Sequence, residues 1–171
     1  ASTSGANALS NRILLIGSST VDVQQDSLTL NPSSGDAVAV DSSSAAFKSN
    51  LTFAGDGDLV VKAPLNLQDS QSTPSFGDFR HTGAGVARFQ ETIFVERLEG
   101  IGGGTLWMDQ PDDSLVMSGS ELSTVFLDNG SILRRDFNET ITGANLELGA
   151  GGGGISVADG FTLVWDSPIT G

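Results

Sequence analysis

Apolar residues along this chain fall in short blocks of three to six, separated by Gly, Ser, Asp or Asn. The spacing of an amphipathic helix is hard to find, so the blocks predict strands. They cover 12–16, 20–23, 27–30, 37–40, 51–53, 59–67, 86–98, 105–108, 114–117, 122–127, 131–133, 140–148, 155–157 and 161–165. Within several of them the residues alternate, as in VDV at 21–23, LTL at 28–30 and NLEL at 145–148, which puts one face in a core and the other in water. Two stretches break the rhythm. QDSQSTPSFGDFR at 68–80 is polar, with one Pro and two Phe, and predicts a protruding loop pinned by Phe76 and Phe79 on an otherwise single domain spanning 1–171. GAGGGG at 149–154 is followed by a strand pattern and no Lys-Ser/Thr, so it reads as a tight turn and not as a phosphate cradle.

Internal similarity sets the architecture. DLVVKAPL at 58–65 and TLVWDSPI at 162–169 share an order of polar, Leu-Val, apolar and Pro positions, and VFLDNGSILRRDFNETITG at 125–143 again joins a turn, an apolar strand and an ITG ending. A drifted repeat of 20 to 30 residues, two or three short strands per copy, follows from these matches. One such unit cannot bury its own apolar face. Stacked copies, with coils about 4.8 Å apart, make a continuous core. The expected fold is therefore all-β, a parallel β-helix or solenoid. An antiparallel β-sandwich or jelly roll is the competing fold, kept open by Asn129-Gly130 and Asp159-Gly160, which suit hairpin turns.

ISVADGFTLVWDSPITG at 155–171 and HTGAGVARF at 81–89 resemble parts of the autotransporter-associated β-strand repeat of bacterial passenger regions, with His81 standing where that repeat carries Lys. The resemblance implies a right-handed parallel β-helix that is exported and displayed on the bacterial cell surface or released from it.

Composition and charge narrow the chemistry. With 21 Asp and Glu against 8 Lys and Arg, the formal net charge is -13, which opposes binding to nucleic acid. The chain has no Cys and a single His, His81, so thiolate metal sites, disulfide scaffolds and thiol nucleophiles are excluded. No apolar run approaches the roughly 20 residues of a spanning helix, and membrane insertion is not expected. Asp56 with Asp58, and Asp112 with Asp113, are the carboxylate pairs that a polysaccharide lyase or hydrolase would use, but turns of this type normally spend carboxylates on backbone amides. Arg134-Arg135 is the sole basic cluster, and no nucleophile elbow accompanies His81. The same acidic turns allow a Ca2+ site as the milder possibility, although neither matches a known calcium loop; no cofactor is expected otherwise. Asn50, Asn129 and Asn138 head Asn-x-Ser/Thr sequons, which signal exposure. Trp107 and Trp165 lie in apolar strands, which predicts burial in the core or against a neighbouring chain.

Neither end of the sequence reads as a cap. Phe161, Leu163, Trp165 and Ile169 form an apolar edge at one end, and Ile13, Leu14, Leu15 and Ile16 one at the other. Complementary edges of this kind give a head-to-tail homopolymer. The expected function is thus a non-enzymatic extracellular structural protein, a self-associating subunit of a surface filament or stalk. The alternative is an adhesin passenger segment that binds a glycan or host protein, with Phe76, Phe79 and Arg80 as the candidate ligand loop.

Overall fold

A computed structural model describes residues 5–41, 48–69, 75–110 and 122–171, which contain strands and turns and no helix. The chain winds as a parallel β-solenoid of about six turns, the steps between seven successive sets of strands. The first coil carries β1 (Asn7–Leu9), β2 (Ile13–Leu15) and β3 (Ser19–Asp22). The second carries β4 (Ser27–Leu30), β5 (Val38–Val40) and β6 (Leu51–Ala54), and the third β7 (Asp58–Val61), β8 (Leu65–Asn66) and β9 (Phe79–His81). The fourth has β10 (Val86–Phe89), β11 (Ile93–Phe94) and β12 (Arg97–Gly100), and the fifth β13 (Thr105–Met108) and β14 (Thr124–Leu127). The last two have β15 (Ser131–Arg135), β16 (Glu139–Thr142) and β17 (Asn145–Leu148), then β18 (Gly153–Val157), β19 (Leu163–Asp166) and β20 (Ile169–Thr170).

Successive coils stack strand on strand. One seven-stranded sheet runs β1-β4-β7-β10-β13-β15-β18, and another β3-β6-β9-β12-β14-β17-β20. The third side is a four-stranded sheet of β2, β5, β8 and β11, followed further on by the pair β16 and β19. Coil length, read from register, runs from 19 residues at Val86↔Thr105 to 32 at Ser19↔Leu51, close to the period expected from the sequence. The sandwich alternative fails because the described strands pair in parallel throughout, and Asn129-Gly130 turns a corner between β14 and β15, which belong to different sheets.

Alternation along each strand produces continuous ladders through the rod. Leu9, Leu30, Val61, Phe89, Met108, Arg135 and Val157 share one inward row; Leu51, Phe79, Leu98, Val125 and Leu146 share another on the opposite sheet. Most of these side chains are buried, each contributing about 1.5–3 kcal/mol of transfer free energy. Any one coil would leave its row open to water, so stability comes from the stacking.

The corner between the second long sheet and the first explains much of the glycine. A Cβ at Gly83 would overlap the Gly55 carbonyl, and one at Gly85 the Gly57 carbonyl, because successive corners approach backbone to backbone. The predicted long blocks are divided at the other corners of the rod. Block 59–67 becomes β7 and β8 with Ala63-Pro64 between them, 86–98 becomes β10, β11 and the start of β12, and 140–148 is broken at Gly143, whose φ is +84°. Of the predicted turn at 149–154, residues 149–152 lead from β17 into β18, with Gly152 at φ +70°, and Gly153 and Gly154 open the strand itself. The predicted strand at 114–117 lies outside the described residues.

Candidate functional site

Among the described residues, β1, β2 and β3 in the first coil have strand neighbours on one side only, as do β18, β19 and β20 in the last. Of the expected N-terminal edge residues, Ile16 is 75% exposed and Leu14 48% exposed, while Ile13 packs half-buried on the core and Leu15 is buried. At the other end Ile169 is 58% exposed, and Phe161 is also exposed, its ring tilted against Phe137 at 5.8 Å. Leu163 and Trp165 pack against the core, and the Trp165 indole N–H donates to the Ala144 carbonyl at 2.9 Å. Sequence reading missed three members of these surfaces: Leu9, Ile155 and Val164 are also exposed. Leu9 lies in β1, for which no strand was expected; Ile155 and Val164 belong to predicted strands, and register alone shows them on the open coil.

The outer faces carry charge-paired ladders. Arg88, Trp107 and Arg134 occupy one outward row of the first sheet, with the two guanidinium carbons 4.0 and 4.1 Å from the Trp107 ring centroid. Asp109 accepts from Arg88 Nε at 2.7 Å, and Asp136 accepts from Arg134 Nε and Nη2 at 2.9 Å, so each cation is held over the ring. This corrects the core placement expected for Trp107. Register with Arg88 and Arg134 puts it on the outward pleat, where the guanidiniums cover it. On the second sheet Arg97 reaches Glu99 at 2.7 Å and Glu147 at 3.0 Å, and Arg80 pairs with Glu99. Burial, reinforced by Glu99 and Glu96, holds the Asp78 carboxyl above the usual range despite Lys48 and Arg97 nearby.

Of the loop residues, Phe76 and Phe79 are buried and Arg80 is exposed. Phe79 and Arg80 open β9, so the excursion ends earlier than the composition suggested. Its base is closed by an antiparallel bridge between Gln68 and Phe76 and by Ser75 donating to Asp69 through its amide at 3.0 Å. Asp56 and Asp58 accept from the amides of Ala84 at 3.3 Å and Val86 at 2.9 Å on the next coil; Asp112 and Asp113 lie outside the described residues. The sequon asparagines tie coils together as well. Asn50 and Asn138 accept from the amides of Asp78 and Thr162, and Asn129 donates to the Ile101 carbonyl.

Among the described residues, His81 and Arg135 interrupt the apolar interior. His81 shares an inward row with Phe53 and Gly100, stacks on the Phe53 ring at 4.9 Å, and has neither ring nitrogen hydrogen-bonded. Burial pushes its imidazole down to about 4, against a weaker opposing pull from Asp58. Arg135 is buried between Met108 and Val157 and pairs with Glu139 at 2.5 Å; desolvation lowers its pKa. Among the described residues no group of three or more His, Asp or Glu is arranged to hold a metal ion. Comparisons with protein-family models, curated proteins and solved structures return no match to this chain.

Proposed function

We propose that the chain is a non-enzymatic structural β-solenoid that associates with itself end to end, forming part of an extracellular filament or stalk. The observation that carries this reading is that each coil is covered by the strands of the next, with unbroken apolar rows through the stack, and that apolar side chains such as Ile16 and Ile169 stand exposed on the first and last described coils. The engagement of Asp56 and Asp58 with turn amides supports a structural role for those carboxylates over a hydrolytic one. The resemblance of 81–89 and 155–171 to autotransporter-associated repeats supports display at a bacterial surface. An adhesin reading through the 68–80 loop draws on Arg80 alone of its three residues, since both Phe side chains are buried.

Sedimentation velocity over a range of protein concentrations tests the proposal. The expected result is a distribution that moves to larger species as concentration rises, and that collapses to one small species when Ile16→Asp and Ile169→Asp are combined. A single species independent of concentration would overturn it.

A further inference from the structure

Asp56-Gly57, Asn129-Gly130 and Asp159-Gly160 are the Asx-Gly dipeptides of the chain, and only Asn129-Gly130 carries a side-chain amide. A glycine after Asn leaves the following backbone nitrogen unhindered, which favours its attack on the side-chain carbonyl carbon. We propose that Asn129 is a latent deamidation site: the stacked corner between β14 and β15 holds it unreactive, and opening of that corner converts it to aspartate and isoaspartate. This chemistry is independent of self-association.

The reaction has two requirements. The Gly130 nitrogen must give up its proton to solvent base, and the Asn129 Cγ must swing onto that nitrogen. In the stacked corner the Gly130 N–H donates to the Gly152 carbonyl on the following coil at 2.9 Å, and Asn129 Nδ2 donates to the Ile101 carbonyl at the preceding corner, also at 2.9 Å. Nucleophile and electrophile are thus drawn to opposite neighbours. Asn129 at φ +52° and Gly130 at φ +76° are both left-handed, and the Ser131 amide closes the turn on the Asp128 carbonyl at 3.0 Å. Asp128 seals the stack, its Oδ1 accepting from the amides of Asn129 at 2.8 Å and Gly151 at 2.6 Å. A Cβ at Gly151 would lie 2.6 Å from Asn129 Oδ1, so the side chain has no space to rotate while the next corner sits on it.

Once the corner opens, water is the only co-reactant needed. The deprotonated Gly130 nitrogen bonds to Asn129 Cγ, the Cγ–Nδ2 bond breaks, and Nδ2 leaves as ammonia with a proton from water. A second water opens the succinimide ring. Attack at Cγ gives aspartate, and attack at the α-carbonyl carbon gives isoaspartate, whose main chain runs through Cβ and Cγ. Neither product suits the closed corner. Aspartate sets an acceptor against the Ile101 carbonyl and adds charge beside Asp128, while isoaspartate lengthens the backbone where successive corners touch. A corner that has reacted therefore does not close again in its original geometry.

Peptide mapping by mass spectrometry at mildly alkaline pH tests the site, because isomerisation at the two Asp-Gly pairs leaves mass unchanged and amide loss does not. The native chain is expected to deamidate at Asn129 at least tenfold more slowly than the same chain unfolded in urea. Asp128→Ala, shown to be folded by circular dichroism, is expected to deamidate there several-fold faster than the wild type. Aged chain returned to neutral pH should exchange the amides of 128–131 and 149–153 faster than fresh chain does. Equal rates in the native and urea-unfolded wild type would overturn the proposal, as would an Asp128→Ala variant no faster than the wild type. Aged, deamidated chain with the exchange pattern of fresh chain would overturn the one-way character of the step.

Discussion

His81 shows how a single residue can conflict with its own ladder. Its row otherwise needs an apolar filler, and Gly104 at the next corner leaves room for the ring, since a Cβ there would lie 2.4 Å from His81 Cε1. The groups facing it are the Phe53 ring, the Gly100 and Gly104 backbones, and, through space, the Asp58 carboxylate. A histidine whose folded pKa lies near 4, against an ordinary value of 6.5, leaves the unfolded chain binding more protons between those values. Stability therefore falls as pH drops through that window, by on the order of 3 kcal/mol from this residue. Urea denaturation between pH 7 and pH 4 should show the wild type losing that much more than His81→Leu, and parallel profiles would refute the assignment. The sequence exposed His81 as a lone histidine but gave no sign of its direction, because one residue in a Gly-rich stretch has no alternation to read. Trp107 failed for a related reason. TLWM reads as wholly apolar, and only pairing with Arg88 and Arg134 reveals its outward side.

Strands and corners follow a common grammar, and that is why the architecture was legible while the equivalences within it were not. DLVVKAPL and TLVWDSPI look like copies, yet the first covers β7 and β8 and the second covers β19 and β20, on different sides of the rod. Each side of a coil is a short alternating strand closed by a small-residue turn, so different sides resemble one another as much as successive coils do. The two ITG segments likewise end β16 and β20, in different sheets. What separates the corners is closeness of approach. Gly83→Ala, which drives a methyl into the Gly55 carbonyl, should cost about 2–4 kcal/mol of stability. Gly17→Ala meets nothing within 4 Å and should change stability by less than about 0.5 kcal/mol, or raise it slightly. Thermal melts of the two variants against the wild type check the pair, and equal effects would contradict the backbone-contact account of the corner.

At the scale of the whole molecule, the described residues form a stack in which each inner coil is both covered and covering, while the first and last described coils are covered on one side. Seven strands in each long sheet give it a length of about 30 Å along the axis. The net charge of -13 discourages lateral bundling, while the end faces carry few charges: Arg12, Asp22 and Asp26 within residues 5–26, and Asp159 and Asp166 within 153–171. Association confined to the ends would thus produce thin, single-rod filaments at physiological salt. The most direct test is cryo-electron microscopy of the purified chain at rising concentration in about 0.15 M salt. The account predicts unbranched filaments one solenoid wide, with an axial spacing of about 4.8 Å that continues unbroken across each subunit joint. Separate short rods at every concentration, or filaments whose coil spacing is interrupted where subunits meet, would contradict it.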